Sequence, residues 1–82
     1  MSLKILFVDD DPNLINGLKR MLFSKRNEWE CLYAENGFKA LEILETNDIA
    51  CIVTDMRMPG MDGSQLLKTV MGKYPQVVRI IL

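Results

Sequence analysis

A three-layer α/β domain, one parallel sheet with helices on both faces, is the fold class that this 82-residue chain predicts. Three observations predict it. Short, continuously apolar runs recur along the chain, as strands covered on both faces do. Between them, apolar residues repeat at helical spacing. The two kinds of segment alternate as βαβαβαβ, an order that right-handed crossovers close into a parallel sheet.

The first strand is read at residues 4–8, Lys4-Ile5-Leu6-Phe7-Val8. Asp11 before Pro12 matches a helix N-cap followed by the favoured first helical position. Leu14, Ile15, Leu18, Met21 and Leu22 then give one apolar face to a helix over about residues 12–24. Gly17 inside it costs roughly 1 kcal/mol relative to alanine and is expected to mark a close approach to the sheet. Ser24 to Glu28 is a polar connection. The second strand spans Glu30 to Glu35 around Cys31-Leu32-Tyr33-Ala34, with Trp29 as an edge anchor.

Asn36-Gly37 would signal a hairpin if alternation followed. Instead Phe38, Ala40, Leu41, Ile43 and Leu44 keep helical period, so a helix is expected over residues 37–46. Asn47-Asp48 turns the chain into a third strand at residues 49–54, and Met56 to Gly63 is a loop rich in Pro and Gly. Asp62 with Gln65 fits a capping box, and Leu66, Leu67, Val70, Met71 and Tyr74 form the apolar face of the next helix. Pro75 ends that helix. The fourth strand is Val77 to Leu82.

Eighty-two residues make one small domain, residues 1–82, of a size that hides only roughly 60–65% of its unfolded surface. A net charge of −1 with 49% hydrophobic residues excludes a disordered tail and a nucleic-acid binder driven by charge, so no direct nucleic-acid binding is expected. Cys31 and Cys51 lack the spacing of a zinc site or redox motif and are expected to be buried, reduced thiols. The methionines read as core filler or loop packing. Histidine is absent, which removes the usual general base and the commonest metal ligand. No apolar stretch approaches the ~20 residues that span a bilayer, and the start lacks the pattern of a signal peptide, so a cytoplasmic location without membrane contact is the expectation. The leading Met1-Ser2-Leu3 is compatible with a cloning remnant.

Two acid clusters carry the chemistry. Asp9, Asp10 and Asp11 follow the first strand and Asp55 follows the third. In a flavodoxin-like strand order these two strands are neighbours at the switch point where open sheets bind ligands, so Asp9, Asp10 and Asp55 converge on one crevice. Carboxylates so close repel one another unless a cation intervenes. Mg²⁺ suits them, since it takes hard oxygen ligands and commonly combines one or two carboxylates with phosphate oxygens. A cation beside an unengaged carboxylate is an arrangement for phosphoryl transfer.

Val8-Asp9-Asp10-Asp11-Pro12, Ala34-Glu35-Asn36-Gly37 with Ala40-Leu41, and above all Ile52-Val53-Thr54-Asp55-Met56-Arg57-Met58-Pro59-Gly60-Met61-Asp62-Gly63 resemble the receiver domain of two-component response regulators. The resemblance implies a phosphoacceptor module and not an enzyme. It makes Asp55 the acceptor of phosphate from the phosphohistidine of a sensor histidine kinase or phosphotransfer protein. It makes Asp9 and Asp10 the acidic pair for Mg²⁺, joined by Asp55 and the backbone carbonyl of Arg57, with Pro59 and Gly63 shaping the loop. A downstream output domain is implied as a partner. Thr54 precedes the acceptor and is expected to face the other way, and Lys68 and Lys73 are expected to be solvated.

The resemblance also implies a truncated receiver, with four of the family's five strands, whose switching is impaired. The family's Ser or Thr is expected just past Leu82 and its phosphate-binding lysine at the end of a fifth strand. An uncovered fourth strand is expected to drive homo-oligomer formation. Two alternatives stand beside this reading. Asp9-x-Asp11 resembles the nucleophile motif of haloacid dehalogenase-like phosphatases, although Asn13 stands where that pattern expects Thr or Val. The other alternative is a fragment that only makes interactions, without phosphotransfer.

Overall fold

The computed structural model describes residues 3–82. Its order is β1 (Leu3–Val8), α1 (Pro12–Leu22), β2 (Trp29–Ala34), α2 (Gly37–Thr46), β3 (Cys51–Thr54), α3 (Gly63–Lys73) and β4 (Val78–Ile81), with a single 3₁₀ turn at Phe23–Lys25 after α1. The four strands form one parallel sheet in the order β2-β1-β3-β4. This is the flavodoxin-like arrangement that the alternation implies, with β1 and β3 side by side at the switch point.

Each helix starts where its cap residue stands. The Asp11 carboxylate accepts from the Asn13 backbone N–H at 2.9 Å, and Asn36 accepts from Lys39 N–H at 2.8 Å. Asp62 and Gln65 close a reciprocal capping box, at 2.8 Å from Gln65 N–H to the Asp62 carboxylate and 3.0 Å from Asp62 N–H to Gln65 Oε1. Such caps satisfy backbone donors that have no partner inside the helix.

Alternate strand residues split the sheet into two unlike faces. Leu6, Val8, Ala34, Ile52 and Thr54 are buried and share one core with Ala40 and Leu44 of α2 and Leu66 and Val70 of α3. The opposite face, holding Ile5, Phe7, Cys31, Tyr33, Cys51 and Val53, is only partly buried, and α1 contributes no buried residue to it. Leu14 and Met21 of α1 are exposed, as are Val78, Ile80 and Ile81 of β4.

Several expectations are corrected here. Gly17 marks no close approach, because a methyl group added to it would meet nothing within 4 Å. β3 is regular only from Cys51, although Ala50 still donates to Lys4 O at 2.9 Å and accepts from Val78 N–H at 3.0 Å. The helical period after residue 11 ends at Leu22, not residue 24, as the chain tightens into the 3₁₀ turn. Both cysteines are free but only partly buried, and burial pushes both thiols up from their ordinary pKa. They flank Ile5 in the sheet register, which separates them by two strand spacings of about 4.8 Å each, beyond the reach of a disulfide. Of the methionines, Met58 is buried and Met61 packs on the core, whereas Met21, Met56 and Met71 are exposed. Met1 and Ser2 lie outside the described residues, while Leu3 already belongs to β1.

Candidate functional site

The strand ladder itself places the acids. One residue beyond β1, Asp9 N–H donates to Ala34 O at 3.1 Å, and one residue beyond β3, Asp55 N–H donates to Val8 O at 3.0 Å. Both residues are thereby fixed at adjacent carboxyl ends of the sheet. Carboxylate oxygens of Asp9, Asp10 and Asp55 lie within 4.8 Å of one another. Thr54 is fully buried on the core side, and its Oγ1 donates to the Asp55 carbonyl at 3.0 Å, so it braces the backbone beneath the acid.

Not every carboxylate in the crevice is available. Asp9 Oδ1 accepts from Asp11 N–H at 2.9 Å, and the Asp11 and Asp62 carboxylates are committed to their helix caps. Asp11 is therefore turned to the start of α1, which counts against a second catalytic acid in an Asp9-x-Asp11 phosphatase motif. Among the described residues, the carboxylates of Asp10 and Asp55 accept no hydrogen bond. These are the two free to engage a ligand.

Burial raises the Asp9 pKa first; the Asp11 N–H opposes this, and the charges of Asp55, Asp10 and Asp11 raise it further. Between its ordinary and its raised value the folded chain binds more protons than the unfolded one, so Asp9 lowers stability as pH rises through that window. With divalent cations chelated, Asp9→Asn is expected to raise stability at pH 7 by at most about 1 kcal/mol after solvent screening. The gain should vanish below the ordinary carboxylate range. Thermal melts of both chains at pH 7 and pH 3.5 check it, and a loss of stability at pH 7 would contradict it.

The loop after Asp55 is closed on itself. Gly63 N–H donates to Met56 O at 2.8 Å, and within the loop Met61 N–H donates to Pro59 O at 3.1 Å around Gly60, whose φ is +81°. Only glycine takes that backbone freely. Pro59 thus sits in the tight turn, while Arg57 is exposed beside it and, with Met56, Met58, Pro59 and Asp62, lines a shallow cleft. At Gly63 the constraint is contact: a Cβ there would overlap the Asp55 carbonyl oxygen and lie 3.0 Å from Met56 Cα. Lys68 and Lys73 are exposed on α3. A second, larger hollow between α1 and α2 opens beside Asp9 and Asp10, bounded by Asn16, Lys19, Tyr33 and Lys39, and sequence patterning gave no sign of it.

The molecule is thus a parallel α/β sheet with a crevice of three acids at its switch point. The chain belongs to the family of response regulator receiver domains, which it matches over residues 5–82. It is 37% identical over 82 residues to the transcriptional regulatory protein SrrA of Staphylococcus aureus, covering 100% of this chain and 33% of that protein. It is 35% identical over 85 residues to the uncharacterized transcriptional regulatory protein YesN of Bacillus subtilis, covering 96% of this chain and 22% of the relative. The chain thus spans a third or less of these curated relatives. Among solved structures, the signal receiver domain of an HD domain-containing protein from Pseudomonas fluorescens superposes with a TM-score of 0.91 at 25% identity, over 99% of this chain and 63% of that one. A two component transcriptional regulator AraC from Clostridium phytofermentans gives 0.86 at 32% identity, over 98% and 63%. Among the described residues no helix is long and apolar enough to cross a membrane.

Proposed function

We propose that this chain is a phosphoacceptor module in which Asp55 receives a phosphoryl group from the phosphohistidine of a sensor histidine kinase or phosphotransfer protein. The observation that carries this reading is the division of labour among the acids. Asp9, Asp11 and Asp62 are held by backbone N–H groups, whereas Asp10 and Asp55 are free and meet at one crevice. An oxygen of Asp55 attacks phosphorus as the P–N bond breaks, the bonding pair returns to the imidazole nitrogen, and a mixed carboxylic-phosphoric anhydride remains.

The donor set fits Mg²⁺: hard carboxylate oxygens of Asp9, Asp10 and Asp55 that lie within 4.8 Å of one another, with the Arg57 backbone carbonyl as the fourth protein ligand. When bound, Mg²⁺ supplies neutralisation of the acids and of the phosphoryl oxygens. Pro59 and Gly63 hold the loop that keeps Arg57 beside Asp55. The family and the transcriptional relatives support a cytoplasmic signalling role that ends in an output domain. Titration with Mg²⁺ tests the site. Asp10→Asn and Asp55→Asn should each weaken binding by roughly tenfold or more, and isotherms identical to the parent chain would remove the site.

We extend the proposal to self-association. Among the described residues β4 is an edge strand of the sheet and presents Val78, Ile80 and Ile81, all at least 40% exposed, and an apolar edge of this kind recruits another strand. Light scattering over a dilution series is expected to show a concentration-dependent dimer. A single monomer mass from high to low micromolar concentration would overturn this extension and leave the assignment of Asp55 untouched.

A further inference from the structure

At the end of the sheet opposite the acids, α1 runs through its 3₁₀ turn into β2 and builds a basic, aromatic corner. Positions 19–26 carry Lys19, Arg20, Lys25 and Arg26 with no acid among them, and the exposed Glu28 and Glu30 follow on either side of Trp29, which leaves the corner an excess of two positive charges in a chain whose overall charge is −1. Among the described residues none of these four cations is held in an ion pair. Two are instead laid on rings: the Arg26 guanidinium lies 4.1 Å from the centre of Phe23, and Lys19 Nζ lies 5.4 Å from the centre of Tyr33. Arg26 is fixed further by donating to Phe23 O at 2.9 Å. Phe23 is 63% exposed and Met21 72% exposed. Phe23 and Arg26 are thus pre-positioned at the surface, while Lys19 and Tyr33, the latter stacked on Phe7, form the wall shared with the hollow beside Asp9 and Asp10.

A cleft of about 220 Å³ opens between them, walled by Leu22, Trp29, Cys31 and Tyr33 and rimmed by the Lys19, Phe23 and Arg26 side chains. That volume lies below the roughly 300–1,000 Å³ of small-molecule sites, but it admits one large side chain. Aromatic residues and arginine around a small apolar pocket are the composition of an interface hot spot, and unpaired cations at its rim select for negative charge.

We propose that this corner docks an acidic segment of a partner protein, with one apolar side chain of that segment seated in the cleft and its flanking carboxylates paired with Lys19, Lys25 and Arg26. The surface does not depend on the phosphoacceptor reading, because it contains none of the crevice acids; it runs from Trp29 at the amino end of β2 along that strand to Tyr33, where it adjoins the hollow beside Asp9 and Asp10. Single-stranded nucleic acid could use the same cations and rings, but it offers no single apolar side chain to fill a cleft of this size.

Trp29 is the sole tryptophan and borders the cleft, so its fluorescence reports occupancy directly. The test titrates the chain with a short amidated peptide of aspartate and glutamate around one central leucine, with the same peptide carrying alanine at the centre, and with oligothymidylate of equal charge. Expected is a saturable change in Trp29 emission with the leucine peptide that weakens as salt rises. The alanine peptide, Phe23→Ala and the double variant Lys25→Glu/Arg26→Glu should each bind about tenfold more weakly or worse. Asp55→Asn should bind like the parent chain. Phe23, Lys25 and Arg26 are exposed, and unchanged far-ultraviolet circular dichroism verifies the fold of each variant. Equal binding of the two peptides, tighter binding of the oligonucleotide, or no response in Trp29 would each overturn the proposal.

Discussion

Asp55→Asn is expected to abolish stable phosphoryl labelling of this chain by a small phosphodonor, while Asp9→Asn and Asp10→Asn retain the acceptor and lose only part of the rate. An amide nitrogen or oxygen does not form the mixed anhydride, so the loss at Asp55 should be complete. The other acids cannot inherit the role cheaply. Asp9 would have to release the Asp11 N–H at 2.9 Å, and Asp11 and Asp62 would each have to give up a helix cap worth typically about 1 kcal/mol. Asp10 is free but exposed, whereas Asp55 is partly buried and anchored on both sides, by Asp55 N–H to Val8 O and by Thr54 Oγ1 to its carbonyl. A fixed nucleophile saves orientational entropy at the moment of attack. Intact mass before and after incubation, with peptide mapping of the labelled chain, checks the expectation. Undiminished labelling of the Asp55→Asn chain would refute the assignment, and the position then labelled would name the real acceptor.

Much of the crevice was legible because its parts are local. Asp11 before Pro12 reads as a cap from two adjacent residues, and Asp62 with Gln65 reads as a capping box from a spacing of three; both are made as the spacing requires. The convergence of Asp9, Asp10 and Asp55 needed one inference beyond local pattern, that β1 and β3 are neighbours, and parallel crossover topology supplied it. The unread features depend on what lies across space. Gly17 looks the same in sequence whether a strand or open solvent faces it. Ile49 and Ala50 are as apolar as Cys51 and Ile52, so nothing in composition marks where the backbone bends out of strand geometry while keeping its ladder bonds. The helical period of α1 announces an apolar face but says nothing of how fully that face is covered, and here Leu14 and Met21 stay exposed. The basic corner escaped for a related reason. Net charge averages Lys19, Arg20, Lys25 and Arg26 with acids spread along the whole chain, and only the fold brings Lys19 and Arg26 to one cleft lined by Phe23, Trp29 and Tyr33.

Gly63→Ala should be the most damaging single-methyl change among the glycines of this chain, and its effect should reach the acceptor. The added Cβ would overlap the Asp55 carbonyl oxygen and press on Met56 Cα at 3.0 Å, and both are backbone atoms with no rotamer to escape into. Gly63 is buried and holds the loop shut through its N–H bond to Met56 O at 2.8 Å, so it cannot back away without breaking that bond and shifting the first turn of α3. Overpacking of a buried site costs typically about 1–3 kcal/mol, and the backbone contact places this change at the upper end. At about 4–8 °C per kcal/mol for a domain of this size, melting should fall by roughly 10–20 °C. Because the yielding atom is the Asp55 carbonyl, braced from below by Thr54, relief of the overlap displaces the acceptor from Asp9 and Asp10, and labelling should slow even at temperatures where the variant is folded. Gly72→Ala is the control: nothing lies within 4 Å of its added methyl group and the residue is exposed in α3, so stability should rise by about 0.5–1 kcal/mol with labelling unchanged. Thermal melts of the three chains, followed by labelling rates well below the lowest transition, separate the two effects. A Gly63→Ala chain that melts with the parent would show that the loop has room the packing denies. One that is destabilised but labels at the parental rate would show that Asp55 is positioned by its ladder bond alone.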